Sequence, residues 1–138
     1  MREKNSLLRE DEGATAVEAA LVISVLIFLT FGIIEFGMAL WAWNTMGLAV
    51  QDAGRHVMIN NATCDTTCAV SQMQSMLATA PGTVSTTCTT PTADQICLSA
   101  STIAGTPSLM TLTAAYGFKV IGLSPTYTLT SQATFPLD

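Results

Sequence analysis

Apolar residues are concentrated in one long run near the start of the chain. Sixteen residues from Ala19 to Ile34 carry no charge, and after Glu35 the run resumes as FGMALWAW. About 20 apolar residues are needed to cross a bilayer. Residues 19–43 therefore predict a transmembrane helix with one interruption, at Glu35.

The helical pattern continues beyond this apolar run. Apolar residues recur at helical spacing through residues 46–57, and NNATC at residues 60–64 favours a turn. We expect a helix that begins near Gly13 or Ala14, ends near residue 59 and projects from the membrane as a stalk.

The distal part of the chain changes from helical to alternating spacing. Residues 69–80 present one apolar face and are stopped by Pro81-Gly82, which predicts a short helix. TVSTTCTT and QICLSAST read as a hairpin around PTAD, and SLMTLTAAYGFKV and TYTLTSQATF as two further strands. The predicted fold class is α+β: a long N-terminal transmembrane helix, then a short helix and a small antiparallel β-sheet head of about four strands.

Basic residues predict the orientation of the helix in the membrane. Arg2, Lys4 and Arg9 precede the apolar segment, whereas only Arg55 follows it closely. Because loops rich in lysine and arginine stay cytoplasmic, we expect a cytoplasmic N-terminus and a translocated head. The two tryptophans in WAW fit the outer membrane interface.

All four cysteines lie in the predicted head, at Cys64, Cys68, Cys88 and Cys97. An even number in a translocated domain predicts two disulfides. Three pairings are possible, and short loops favour Cys64–Cys68 with Cys88–Cys97. A zinc site is the weaker alternative, because the C-x3-C and C-x8-C spacings lack a matching histidine and His56 lies outside the pattern. We expect no metal.

Composition argues against catalysis. The chain is 49% hydrophobic and only 11% charged. Beyond the apolar segment it offers one histidine and a few scattered charges, without a carboxylate pair, a nucleophile beside a base, or a phosphate-binding glycine loop. We expect no enzyme, no cofactor and no nucleic-acid partner.

Two carboxylates lie in or beside the predicted membrane segment, where a charged side chain costs free energy. Glu18 lies near the inner membrane boundary, where it could snorkel as a first-turn acid that favours the helix dipole, or serve a function. Glu35 lies about 12 Å below Trp43 along the helix. It could be solvated by a local water defect or protonated and hydrogen-bonded within the helix. The functional interpretation is an inter-subunit hydrogen bond or ion pair.

The segments GATAVEAALV, FGIIEFGMALW and AVQDAGR resemble, in order and spacing, the TadE-like family of minor pilins (pseudopilins) of the tight-adherence (Tad) pilus. The resemblance implies a pilin-like helix and a leader, residues 1–13, that a membrane prepilin peptidase removes between Gly13 and Ala14. Glu18 would then be the fifth mature residue. Its carboxylate would neutralise the new N-terminal ammonium on its own or a neighbouring subunit.

The resemblance also implies partners, a location and a division of the chain. The expected partners are membrane lipid, other pilin and minor pilin subunits, the prepilin peptidase and the pilus assembly platform. We expect the bacterial inner (cytoplasmic) membrane, a periplasmic or extracellular head, and a place in pilus assembly and hence in cell adhesion and secretion. After the leader come a transmembrane helix and stalk, residues 14–60, and a disulfide-containing head, residues 61–138.

Two alternatives remain open at this stage. One is an uncleaved single-pass membrane scaffold of an envelope secretion or pilus complex. The other is a secreted domain whose apolar segment is a signal peptide, although the segment is longer than the usual 7–15-residue signal core.

Overall fold

The computed structural model describes the backbone of residues 4–60, 63–105, 107–120 and 125–137, and their side chains from Gly13 onward. Residues 1–3 of the predicted leader and most of the predicted IGLSP connection lie outside the described residues. The helices are α1 (Lys4–Ile59) and α2 (Thr66–Met76), the latter followed by a 3-10 turn (Leu77–Thr79). The strands are β1 (Thr83–Ser85), β2 (Gln95–Ile103), β3 (Ser108–Phe118) and β4 (Tyr127–Leu137). The predicted α+β class is confirmed.

The chain forms two compact units, residues 1–37 and residues 38–138, and α1 contributes to both. In the first unit every side chain from Gly13 to Ile34 is exposed. An 18-residue window of this helix has a mean hydropathy of 2.5, with none of the window buried. The exposed surface is therefore apolar enough and long enough to lie in lipid.

One end of α1 agrees with the prediction and the other does not. The helix ends at Ile59, as predicted, but it begins at Lys4, so the predicted start near Gly13 or Ala14 is wrong. Residues 4–12 contain no proline, and leucine, arginine and glutamate among them are good helix formers. A single Gly13 costs a helix only about 1 kcal/mol, which does not stop it.

In the second unit, the distal part of α1 supplies one wall of the hydrophobic core. Its buried residues recur every three or four positions, which places them on one face of the helix. They are Ala42, Met46, Ala49, Val50, Ala53 and Val57. Helix α2 adds Ala69 and Met73, and the sheet adds the inward side chains of β2 and β3.

The sheet has the order β1-β2-β3-β4 and is mixed. Strand β3 pairs antiparallel with β2 and with β4. Strand β1 pairs with β2 in parallel, from Thr83 opposite Gln95 to Ser85 opposite Cys97. The predicted hairpin, and with it the purely antiparallel sheet, is wrong at this point.

The parallel pairing has a local cause in Asp94, which precedes β2. Its carbonyl accepts a hydrogen bond from the Thr83 N–H at 2.9 Å, and its own N–H donates to the Gly117 carbonyl at 2.9 Å. The chain must therefore return through residues 86–94 to the level of Thr83 before β2 begins. Strands β1 and β2 start at the same end of the sheet and run in the same direction.

Candidate functional site

The predicted leader junction lies on the exposed part of α1. Gly13, Ala14 and Glu18 are all exposed, and a side chain added at Gly13 would meet nothing within 4 Å. Residues four apart on a helix are neighbours, with Cβ atoms about 5–6 Å apart. Glu18 therefore lies on the same helix face as Ala14, one turn further along.

The second predicted carboxylate has a different environment. Glu35 is only 9% exposed, whereas Ile34 is 52% and Phe36 61% exposed. Glu35 and Glu18 are 17 positions apart, about 25 Å along a helix. The structure does not bring the two acids together, so they form separate candidate sites.

Two disulfides fasten the head. Cys64–Cys68 joins the turn after α1 to the first turn of α2, with a Cα–Cα distance of 5.2 Å. Cys88–Cys97 joins the loop after β1 to β2, with a Cα–Cα distance of 5.4 Å. This pairing is the one that short loops favour, and the second bond holds the returning loop against the sheet.

His56 lies beside the first disulfide, which sequence reasoning missed. Its Nδ1 is 3.7 Å from Cys64 Sγ. The turn causes the approach, because the Asn60 N–H donates to the His56 carbonyl and the Cys64 N–H donates to the Asn60 carbonyl. The ligand atoms of His56, Cys64 and Cys68 lie within 4.8 Å of one another. Both sulfurs are used in the disulfide, so neither is a thiolate that could bind a metal.

Asp65 caps the start of α2. Its side chain accepts hydrogen bonds from the Thr67 hydroxyl and, at 3.0 Å, from the Cys68 N–H. These bonds favour the charged carboxylate and lower the pKa of Asp65, with the Thr67 bond as the largest cause. The carboxylate therefore helps to position the Cys64–Cys68 bond at the helix end.

Tyr116 and Asp94 connect the middle of the sheet to the start of β2. The Tyr116 hydroxyl donates to Asp94 Oδ1 at 3.1 Å, and Asp94 adopts a left-handed backbone with φ of 57°. Burial, followed by this hydrogen bond, raises the pKa of Tyr116 to about 12. The pair holds the turn that makes β1 and β2 parallel.

Comparison with known proteins gives one finding. The family model described as TadE-like protein matches residues 13–55. Comparison with curated proteins and with solved structures gave no match. The match confirms the resemblance over the apolar segment and the stalk, and it ends before the head. Over this segment the chain is similar to TadE-like proteins, which suggests a membrane-anchored protein associated with a Tad pilus.

Proposed function

We propose that this chain, TadE-like over residues 13–55, is a minor pilin or pseudopilin. In this role it takes part in the assembly or initiation of a Tad-type pilus after leader cleavage between Gly13 and Ala14. One observation carries the proposal: the family match begins at Gly13, five residues before Glu18, on an apolar helix whose side chains are exposed.

The charge distribution and the disulfides support the proposed topology. Basic residues precede the apolar segment, which favours a cytoplasmic N-terminus in the bacterial inner membrane. Disulfides form and persist in oxidising compartments, so two of them in the head support a periplasmic or extracellular location. A cytoplasmic leader is accessible to a prepilin peptidase, while the helix is available to other subunits and to the assembly platform.

Cleavage changes the chemistry next to Glu18. Before it, the nitrogen of Ala14 is a neutral amide. Hydrolysis adds water across the Gly13–Ala14 bond, leaving a carboxylate on the leader and an ammonium on Ala14. That ammonium lies at the positive end of the helix dipole, in a setting of low dielectric. The Glu18 carboxylate, one turn away or on a neighbouring subunit, offsets both effects.

This chemistry explains why Glu18 and cleavage would act together. An unpaired buried charge is costly, and removing one partner of a buried pair typically costs 3–5 kcal/mol. A mature subunit without the carboxylate would therefore resist transfer from lipid into a packed assembly. An unprocessed subunit would meet the same obstacle, because its charged leader stays attached.

The junction can be tested with Gly13→Ala and a matched control in the same helix. An added Cβ meets nothing within 4 Å at Gly13, at Gly32 or at Gly37, so the three substitutions are equivalent for folding. We expect Gly13→Ala to retain the leader and to abolish pilus assembly, while Gly32→Ala is processed and assembled. Normal pili built from Gly13→Ala subunits that keep residues 1–13 would overturn the processing step.

Glu18 is tested separately with Glu18→Gln, which keeps the shape and removes the charge. We expect normal leader removal but loss of assembly, with recovery in Glu18→Asp. Assembly that is unchanged in Glu18→Gln would show that the carboxylate does not act as proposed.

One observation favours the alternative, an uncleaved single-pass scaffold of an envelope secretion or pilus complex. The backbone is helical across Gly13–Ala14, whereas peptidases cut extended backbone. The pilin proposal therefore requires local opening at this bond, which Gly13 facilitates because glycine destabilises a helix by about 1 kcal/mol. The Gly13→Ala experiment separates the two, since a scaffold would function normally with the leader attached.

A further inference from the structure

Strand β2 leaves most of one edge unpaired. Strand β1 covers only Gln95–Cys97, whereas β2 continues to Ile103. Within the described part of the chain, the strand pairing of residues 98–103 is made to β3 alone. An exposed row of backbone N–H and C=O groups is a template for another strand.

An open groove lies beside this edge. Its space of about 510 Å³ is bordered by α2 at Thr66, Val70 and Gln74, by loop residues 86–89, and by residues 98–100 of β2. No charged side chain lines it. Because β1 ends opposite Cys97, the groove lies beside a part of β2 that β1 does not cover.

Strand β4 forms the opposite edge of the sheet, and among the described residues its strand pairing is made to β3 alone. It pairs with β3 along its full length, from Tyr127 to Leu137, and occupies the end of the strand order. None of its eleven residues is charged, and only Pro136 interrupts its row of donors. Natural sheets protect such edges with charged residues, bulges or proline, and in β4 only Pro136, near the end of the strand, provides such protection.

Strand directions decide how two copies could join these edges. Strand β1 is parallel to β2, and two antiparallel pairings return β4 to the same direction. The stalk part of α1 also runs this way, since Gly47 lies against Ser131 and Gly54 against Phe135. A copy displaced sideways without reversal, and shifted along the strands so that its β4 clears β1, therefore brings its β4 edge to residues 98–103 of β2 with both strands parallel.

The same directions disfavour a symmetric alternative. Antiparallel pairing of two β4 edges would relate the copies by a two-fold axis perpendicular to the sheet. That rotation would reverse one stalk relative to the other. Reversed stalks would not suit two copies anchored with parallel helices, the arrangement that the proposed function requires.

We propose that the β4 edge of a second copy of this chain pairs in parallel with residues 98–103 of β2, in line with β1. The contact joins two different surfaces, so it leaves a free β2 edge and a free β4 edge and can extend into a row. The inference rests on the proposed function in one respect, that neighbouring copies are anchored with parallel helices.

The test uses cysteine cross-linking of two differently tagged full-length copies in their native membrane. One copy carries Ser101→Cys. The other copy is made as four separate variants, each with one cysteine substitution on β4, at Thr128, Thr130, Gln132 or Thr134. These positions face the same side of the sheet, because Ser101 is opposite Thr111 and Thr111 is opposite Thr134. Adjacent strands bring Cα atoms within the 4.4–6.8 Å span of a disulfide.

We expect a cross-link between the two tags that peaks at one β4 position and falls at least fivefold two positions away. The matched control is Thr113→Cys on β3, which lies on the same face but between two paired strands. It should give only the background yield. Equal yields at Thr113 and at every β4 position would overturn the proposal, because they would indicate random collision.

Three further results would also overturn the edge pairing. They are no cross-link above background, a dominant Thr130–Thr130 product, or capture of a different polypeptide by Ser101→Cys. The intact mass of the subunit and the number of pili, measured on the same cells, separate the two proposals. Leader removal and normal pili without the cross-link reject only the pairing, whereas a specific cross-link between unprocessed subunits rejects only the processing.

Discussion

Two glycines of α1 face β4 and provide a matched test of how the stalk packs on the head. A Cβ added at Gly54 would lie 2.0 Å from Cζ of Phe135, whereas one at Gly47 would lie 3.8 Å from the Ser131 hydroxyl oxygen. The first distance requires the ring to move, and the second is an ordinary contact. Gly54→Ala and Gly47→Ala should therefore differ, although both occur in the same helix.

The size of the difference follows from two opposing effects. Replacing glycine with alanine inside a helix stabilises it by about 1 kcal/mol. Overfilling a packed site costs about 1–3 kcal/mol. Gly47→Ala should raise the free energy of unfolding by about 1 kcal/mol. Gly54→Ala should leave it unchanged or lower it by up to about 2 kcal/mol.

The free energy of unfolding can be measured by pulse proteolysis in urea on the full chain in detergent micelles. The Phe135→Ala background serves as the control, because removal of the ring should make Gly54→Ala stabilising, as at Gly47. A Gly54→Ala protein as stable as Gly47→Ala in the original background would refute the packing of the stalk glycine on Phe135.

Three further predictions concern the head and use the same unfolding measurement. Gly117→Ala should lower the free energy of unfolding by about 3 kcal/mol, since its Cβ would fall 1.9 Å from the Thr92 carbonyl oxygen. A variant as stable as the original protein would contradict the close approach of Thr92 to Gly117. Folding raises the pKa of Tyr116 and so favours its neutral form. The neutral side chain therefore stabilises the fold fully below pH 10, and this contribution is lost as the pH rises towards about 12. Tyr116→Phe should lack this alkaline loss, and an unchanged loss would argue against the bond to Asp94. Because folding lowers the pKa of Asp65 below its ordinary value of 3.8, the ionised carboxylate stabilises the fold above pH 3.8. This stabilisation is lost as the pH falls through the pKa of Asp65 in the folded protein. Asp65→Asn should remove that acid dependence, and its persistence would point to another group.

Local sequence patterns predicted the two helices and the four strands, although not the start of α1 or the short length of β1. The change from an apolar run to helical spacing at residues 46–57 marked the buried face of the stalk, and α1 ends at Ile59, as predicted. The alternation in SLMTLTAAYGF gave β3, whose inward residues include Met110 and Leu112. These signals are available in sequence because each element buries one face.

Contacts between residues distant in sequence could not be predicted from local patterns. The hairpin prediction was wrong because the direction of β1 depends on two hydrogen bonds of Asp94, whose carbonyl accepts from the Thr83 N–H and whose N–H donates to the Gly117 carbonyl. The approach of His56 to Cys64 depends on the path of a turn. The bond between Tyr116 and Asp94 joins residues 22 positions apart. No local periodicity encodes such pairings.

The candidate assembly segment was recognisable because its signal is short and linear. Gly13, Ala14 and Glu18 lie within six positions, and the family match includes all three. The environment of Glu35 was not predictable from sequence, since its 9% exposure contrasts with that of its neighbours in the same apolar run.

The intact mass of the subunit, purified from its native membrane and from isolated pili, tests the central claim most directly. Removal of residues 1–13 gives a mature chain that starts at Ala14 and places Glu18 fifth, and this is the result we expect in both samples. A subunit that retains residues 1–13 in assembled pili would contradict the account.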